Sequence, residues 1–247
     1  MSGSERELRL DNPLLVRWEF ASEERLATRN AIYRRLIEGD QAEQFVFDAV
    51  AEMKPKRVLE VGCGAGEMAE RISRELDAEV CALDSSERMV ALTRERGVDA
   101  MLGDVQALPF EDEHFDCVVS GWVFYHVANR ELAIAECARV LRPGGRLVAA
   151  TLADENFSDM WALLGVEDDD RELTFSTLNG AEQLAAHFSK VETREAKGVV
   201  VFPNPESMRQ FVAADMTRAH LAAKVPEFDE PVSARSHHTV FVAEKAA

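Results

Sequence analysis

Apolar residues change their period along this chain. From residue 11 to 55 they recur at helical spacing. Leu26, Tyr33, Leu36 and Ile37 share one face closed by Gly39, and Phe45, Val46, Ala49, Val50 and Met53 share another before Pro55. Ser22 is the expected N-cap of the first of these helices, with Glu23 and Glu24 in its first turn. From residue 57 short apolar runs take over: RVLEV (57–61), AEVCALD (78–84), VDAML (98–102), FDCVVS (115–120) and GRLVAAT (145–151). Amphipathic stretches separate them: Glu67–Leu76, Ser86–Arg96 closed by Gly97, and one running from an Asn129 cap to Leu141, ended by Pro143 and Gly144. Strands alternating with helices predict an α/β fold with a doubly wound, mostly parallel sheet that binds ligand at the carboxyl edge of its strands.

The last third is less regular. Leu178–Phe188 reads as a helix, Val191–Phe202 and His237–Val242 as an antiparallel strand pair, and Pro205–Ala223 as a helix with Met208, Phe211, Val212 and Met216 periodic. The expected organisation is an N-terminal helical cap over 1–55, then one domain over 56–247 with lid insertions near 152–177 and 203–233. The acidic run Glu167–Asp170 reads as a solvated loop rather than metal ligands.

Charge narrows the partners. The net charge is -17, a field that opposes nucleic acid binding, which draws most of its affinity from phosphate neutralisation. No apolar run approaches the roughly 18 residues of a membrane span, and the N-terminus has no apolar signal core, so the expectation is a soluble, cytoplasmic protein. Cys63, Cys81, Cys117 and Cys137 show no C-x-x-C pair, so no zinc site or redox dithiol is expected; Cys81 and Cys117 read as core.

The candidate chemistry begins at VLEVGCGAG (58–66). A buried strand ends beside an acid, Glu60, and glycines follow at 62, 64 and 66, leaving bare backbone at the start of a helix. A dinucleotide-binding turn has G-x-G-x-x-G, but Glu67 holds the place of its third glycine, where a carboxylate would repel a pyrophosphate. The pattern E-x-G-x-G-x-G, followed by Asp84, by GDVQALPFEDEHFDCVVS (103–120) and by ARVLRPGGRLV (138–148), resembles the class I S-adenosylmethionine-dependent methyltransferases of the ubiquinone/menaquinone-biosynthesis type.

That resemblance covers about Val58 to Thr151. It implies a seven-stranded Rossmann-like sheet with N-terminal helices and a lid, and S-adenosyl-L-methionine as cofactor, released as S-adenosyl-L-homocysteine. The implied cofactor residues are Glu60, Gly62, Cys63, Gly64, Gly66, Asp84 for a ribose diol, Ser85 and Met89 flanking the adenosine, Asp104 and Val105 for the adenine, and Ser120 beside the sulfonium. His126 in WVFYHV is the candidate general base, Trp122 and Tyr125 read either as pocket lining or as packing, and Arg29 is a candidate partner for the cofactor carboxylate. No metal is expected. Trp18, Phe20, Trp161, Phe175 and Phe211 suggest a partly apolar small-molecule acceptor. The alternatives are a non-catalytic binding protein on this fold, acting as sensor or partner subunit, and an RNA or protein methyltransferase. An NAD-dependent oxidoreductase fits the glycine spacing poorly.

Overall fold

A computed structural model describes residues 9–166 and 173–247. In chain order the elements are α1 (Pro13–Glu19), α2 (Glu24–Leu36), β1 (Ile37–Gly39), α3 (Ala42–Ala51), β2 (Arg57–Val61), α4 (Glu67–Leu76), β3 (Glu79–Asp84), α5 (Glu87–Glu95), β4 (Asp99–Leu102), β5 (Phe115–Gly121), α6 (Arg130–Val140), β6 (Leu141–Leu152), α7 (Ser158–Leu163), α8 (Gly180–Ala185), β7 (Lys190–Phe202), α9 (Pro205–Ala213) and β8 (Val232–Glu244). The acidic run 167–170 lies outside the described residues.

The sheet has the order β1-β7-β8-β6-β5-β2-β3-β4. The strands β2 to β6 run parallel to one another, and β8, β7 and β1 add antiparallel pairings outward from β6. Among the described residues there are eight strands rather than the expected seven. The extra one comes from Ile37, which the periodicity put in a helix. It turns extended and pairs with Val200, adding an edge strand. The N-terminal segment is thus joined to the sheet by main-chain hydrogen bonds.

Strand alternation builds two cores. Leu59, Val61, Val118, Leu147, Ala149, Phe241 and Ala243 meet α6 and α8 on one face. Val58, Cys117, Val119, Val148, Val240 and Val242 meet α3, α4 and α5 on the other. A third cluster stands apart. Residues 197–202 and 232–237 of the β7–β8 hairpin pair with each other beyond the carboxyl end of β6, and α2, α7 and α9 pack on that extension through Ile32, Phe157, Trp161, Val200, Phe202, Met208, Phe211 and Val212.

Other boundaries moved for local reasons. Ser22 is not the cap of α2. The helix starts after Glu23 without a side-chain cap, and the Glu23 carboxylate goes to Arg88 instead. The Pro205–Ala223 helix stops at Ala213, because the Asp215 side chain accepts from the backbone N–H groups of Thr217 and Arg218, and a 3-10 turn over Ala219–Lys224 follows. The expected helix 178–188 is confined to Gly180–Ala185, with Leu178 exposed. Among the described residues, no helix is long and apolar enough to cross a membrane.

Candidate active site

The chain runs β2, β3, β4 to one side and β5, β6 to the other, so the strand order reverses between β2 and β5. Crevices in open α/β sheets form at such a reversal. Here a cavity of about 640 Å³ opens there, lined by the turn after β2, by Asp84, by Gly121, Trp122, Val123, Tyr125 and His126 at the end of β5, by α2 and by parts of the third cluster.

The three glycines serve different ends. All have positive φ (66, 54 and 80°), so a side chain at any of them is strained. A Cβ on Gly62 would run into Val123, so the turns after β2 and β5 close against each other only because it is absent. A Cβ on Gly66 would lie 2.7 Å from Thr93. Gly64 is different: a Cβ there meets only Leu26, at 3.7 Å, so it presents backbone to the cavity. The loop is held from beneath, as the N–H groups of Gly62 and Cys63 donate to the Leu83 carbonyl at 2.7 and 3.1 Å.

Two carboxylates face this loop. Asp84 is buried, and its oxygens accept from the Gly64 N–H and the Ser86 N–H, each at 2.9 Å. Burial raises its carboxyl above the usual range while these backbone donors oppose the rise. A carboxylate offers about four lone-pair sites, so Asp84 keeps acceptor capacity for a ligand hydroxyl beside its backbone donors. Glu60 is buried, and among the described residues its Oε2 has no hydrogen-bond partner. Burial, with the nearby Asp84 charge, pushes it up to about 8. Glu67 begins α4 and is paired with Arg34 and, at 3.5 Å, Arg96, so the helix N-terminus already carries a negative group. The donor set suits a cationic, diol-bearing ligand and disfavours a phosphate.

The remaining sequence candidates divide. Glu60, Gly62, Cys63, Gly64, Asp84, Ser85, Arg29, Trp122, Tyr125 and His126 line the cavity. Gly66 supports the turn from behind. Met89 is fully buried in the core and does not reach the cavity. Asp104 and Val105 also fall outside its lining; Asp104 is exposed and its carboxylate accepts from the backbone and side chain of Gln106. Ser120 is buried behind Gly121, its Oγ without a partner among the described residues. Cys63 is buried with Sγ against Thr93 Oγ1, and burial pushes its thiol up, which suits packing and not nucleophilic attack. Of the aromatic residues, Phe20, Trp161 and Phe211 line the cavity, Trp18 is exposed, and Phe175 is in the core. Among the described residues no His/Cys/Asp/Glu cluster suits a metal ion.

His126 has a defined tautomer. Its Nδ1 lies 3.0 Å from the Leu10 carbonyl, which can only accept, so Nδ1 carries the proton and Nε2 keeps its lone pair. Burial lowers its pKa to about 4, and Arg29 adds to this. The ring is therefore neutral at pH 7.

The residue pattern did not single out Tyr33 and His238 as site residues. Tyr33 Oη is 3.3 Å from His238 Nε2 and 2.9 Å from Ser236 Oγ, and Trp122 Nε1 donates to His238 Nδ1 at 3.0 Å. Two signals were present: a hydroxyl on an otherwise apolar helix face, and a histidine in the inward phase of Val240 and Val242. Neither could name its partner.

Comparison with known proteins agrees with this geometry. Residues 59–149 match a family described as a methyltransferase domain. The chain is 34% identical over 146 residues to a malonyl-[acyl-carrier protein] O-methyltransferase of Methylococcus capsulatus, covering 56% of this chain and 53% of that protein. It is 28% identical over 181 residues to the ubiquinone/menaquinone biosynthesis C-methyltransferase UbiE of Edwardsiella ictaluri, covering 69% and 70%. Across the first curated relatives it matches, the chain spans from about a third to about half of their length. The YcgJ protein of Bacillus subtilis shares the fold, with a TM-score of 0.61 at 18% identity over 83% of this chain and 99% of that one. With its glycine turn, its strand order and the match over 59–149, this chain carries a methyltransferase domain set in a class I methyltransferase fold.

Proposed function

We propose that the protein is an S-adenosylmethionine-dependent methyltransferase acting on a small-molecule acceptor. The observation that carries this is the pair Glu60 and Asp84 beside the bare backbone of Gly64: one buried carboxylate with a free oxygen, and one with acceptor sites left for a diol. The names of the relatives, methyltransferases acting on quinone precursors and on an acyl carrier, support the same reaction class.

S-adenosylmethionine, when bound, supplies a methyl group on a sulfonium already activated for in-line displacement. The chain's own tasks are holding and excluding. Glu60 answers a positive group, Asp84 a diol, and Gly64 lets the main chain approach. Trp122, Tyr125 and His126 shield the space after β5 from water. Orientation of this kind is worth roughly 7–11 kcal/mol of barrier. His126 Nε2 keeps its lone pair to accept a hydrogen bond from the acceptor, but a ring lowered to about 4 is a weak base for removing its proton. Acidic charge overall disfavours RNA as acceptor.

Isothermal titration with S-adenosylmethionine and S-adenosylhomocysteine in the presence of EDTA tests this. We expect saturable binding of both. Asp84→Ala should weaken it at least tenfold, since hydrogen bonds to a charged group contribute about 1.5–3 kcal/mol. Heats no larger than dilution would remove the proposal.

A further inference from the structure

In the cavity wall a polar chain joins three elements. Tyr33 on α2, Trp122 after β5 and His238 on β8 all line the cavity. The indole N–H of Trp122 is donor only, so His238 Nδ1 must accept and Nε2 must carry the hydrogen. That hydrogen points at Tyr33 Oη, 3.3 Å away. Trp122 holds this aim from a left-handed backbone, φ 59°, with its N–H fastened to the Ala150 carbonyl at 2.9 Å. Two residues from distant parts of the chain, Trp122 and His238, thus set the orientation of the Tyr33 phenol.

A phenol has one donor and two acceptor sites. His238 takes one acceptor site and Ser236 one further bond, whichever of the two hydroxyls donates. One bond is left over, as a donor or as an acceptor, and a hydroxyl on a ligand satisfies either case. Around it the wall is aromatic. Phe157 meets the Tyr33 ring edge-on at 6.5 Å between centroids, Phe211 meets Phe157 at 5.3 Å, and Trp161 and Met216 complete that side.

Building on the methyltransferase reading, we propose that Tyr33 positions the methyl acceptor by one hydrogen bond to an uncharged hydroxyl carried on an apolar body, and that His238, oriented by Trp122, acts through Tyr33. His238 is a positioning residue and does not itself meet the acceptor.

The test uses the full chain saturated with S-adenosylhomocysteine and two probes of one shape, 2-naphthol and naphthalene. The wild type should bind 2-naphthol more tightly than naphthalene. Tyr33→Phe should weaken 2-naphthol about five- to tenfold and leave naphthalene unchanged. His238→Gln should keep the preference, because its amide oxygen accepts from Trp122 while its amide N–H donates to Tyr33; His238→Leu should lose it. Equal affinity for the two probes in the wild type, binding of neither, or equal weakening of both by Tyr33→Phe overturns the proposal. Failure of S-adenosylhomocysteine itself to bind overturns the methyltransferase reading and this proposal with it, and is seen before either probe is added.

Discussion

Glu60 sits inside the protein with one oxygen unpartnered, and its carboxyl is raised to about 8. At pH 7 it therefore holds its proton until a cationic group arrives beside it; that charge favours the ionised form, and the proton leaves. Titration of S-adenosylmethionine at pH 7 in two buffers of different ionisation enthalpy should show proton release in the wild type and none in Glu60→Gln. Heats independent of buffer in the wild type would contradict the assignment. The glycines give a second test at this scale. Gly62→Ala combines strain at φ 66° with a clash against Val123 and should cost about 2–4 kcal/mol. Gly64→Ala meets only Leu26, at an ordinary contact distance of 3.7 Å, and should cost only about 1–2 kcal/mol of backbone strain. Urea denaturation separates the two, and similar losses would mean the turns after β2 and β5 do not pack as described.

The helices that cover the cavity are tied to elements on both sides of it. Arg88 on α5 donates twice to Glu23 ahead of α2, at 2.8 and 2.6 Å, and Ser86 Oγ donates to the Phe20 carbonyl at 2.6 Å. On the other side Arg25 binds Glu19 and the Asp215 carbonyl. Exposed ion pairs contribute little to global stability, so their effect should be local. Glu23→Ala should raise amide hydrogen exchange over α1 and α2 while leaving exchange in β2 and β5 unchanged. An unchanged α2, or a rise spread over the sheet, would place the hold elsewhere. The same contacts explain a boundary missed in the sequence: a cap position is a local inference, and Glu23 is drawn away by an arginine 65 residues distant.

For the whole molecule, the three groups with the largest shifts between pH 4 and 8, half-buried His126 and buried His238 and Glu60, set opposing pH trends. Burial lowers His126 and His238 to about 4. Their folded values lie below the unfolded one, so the stability they contribute is present above about 6.5 and is lost as pH falls toward 4. Glu60 is the reverse: its folded value lies above the unfolded one, so its contribution is present below about 4.5 and is lost as pH rises through 8. Two groups against one place the stability maximum from these residues near pH 6.5. Carboxylates held low by arginines, among them Glu67 and Glu136, add to the acid-side loss. Urea midpoints measured from pH 5 to 9 should peak near neutrality, and His238→Gln should flatten the acid limb. A midpoint that rises steadily toward pH 5 would show that the histidines charge without cost.

Strand and helix periods, the glycine turn and the acid ending β3 were readable in the chain because each rests on residues within a few positions of one another. Local sterics and alternate-face burial act over that range, and they decided the parallel sheet, its carboxyl-edge crevice and the place of Gly62, Gly64, Asp84 and Glu60. Tertiary structure alone decided that Met89 is core, that Asp104 stays outside the cavity, that Ile37 opens an edge strand, and that Tyr33 meets His238 and Trp122. Those outcomes depend on which elements come to face each other across as many as 205 residues, and no local period encodes that pairing.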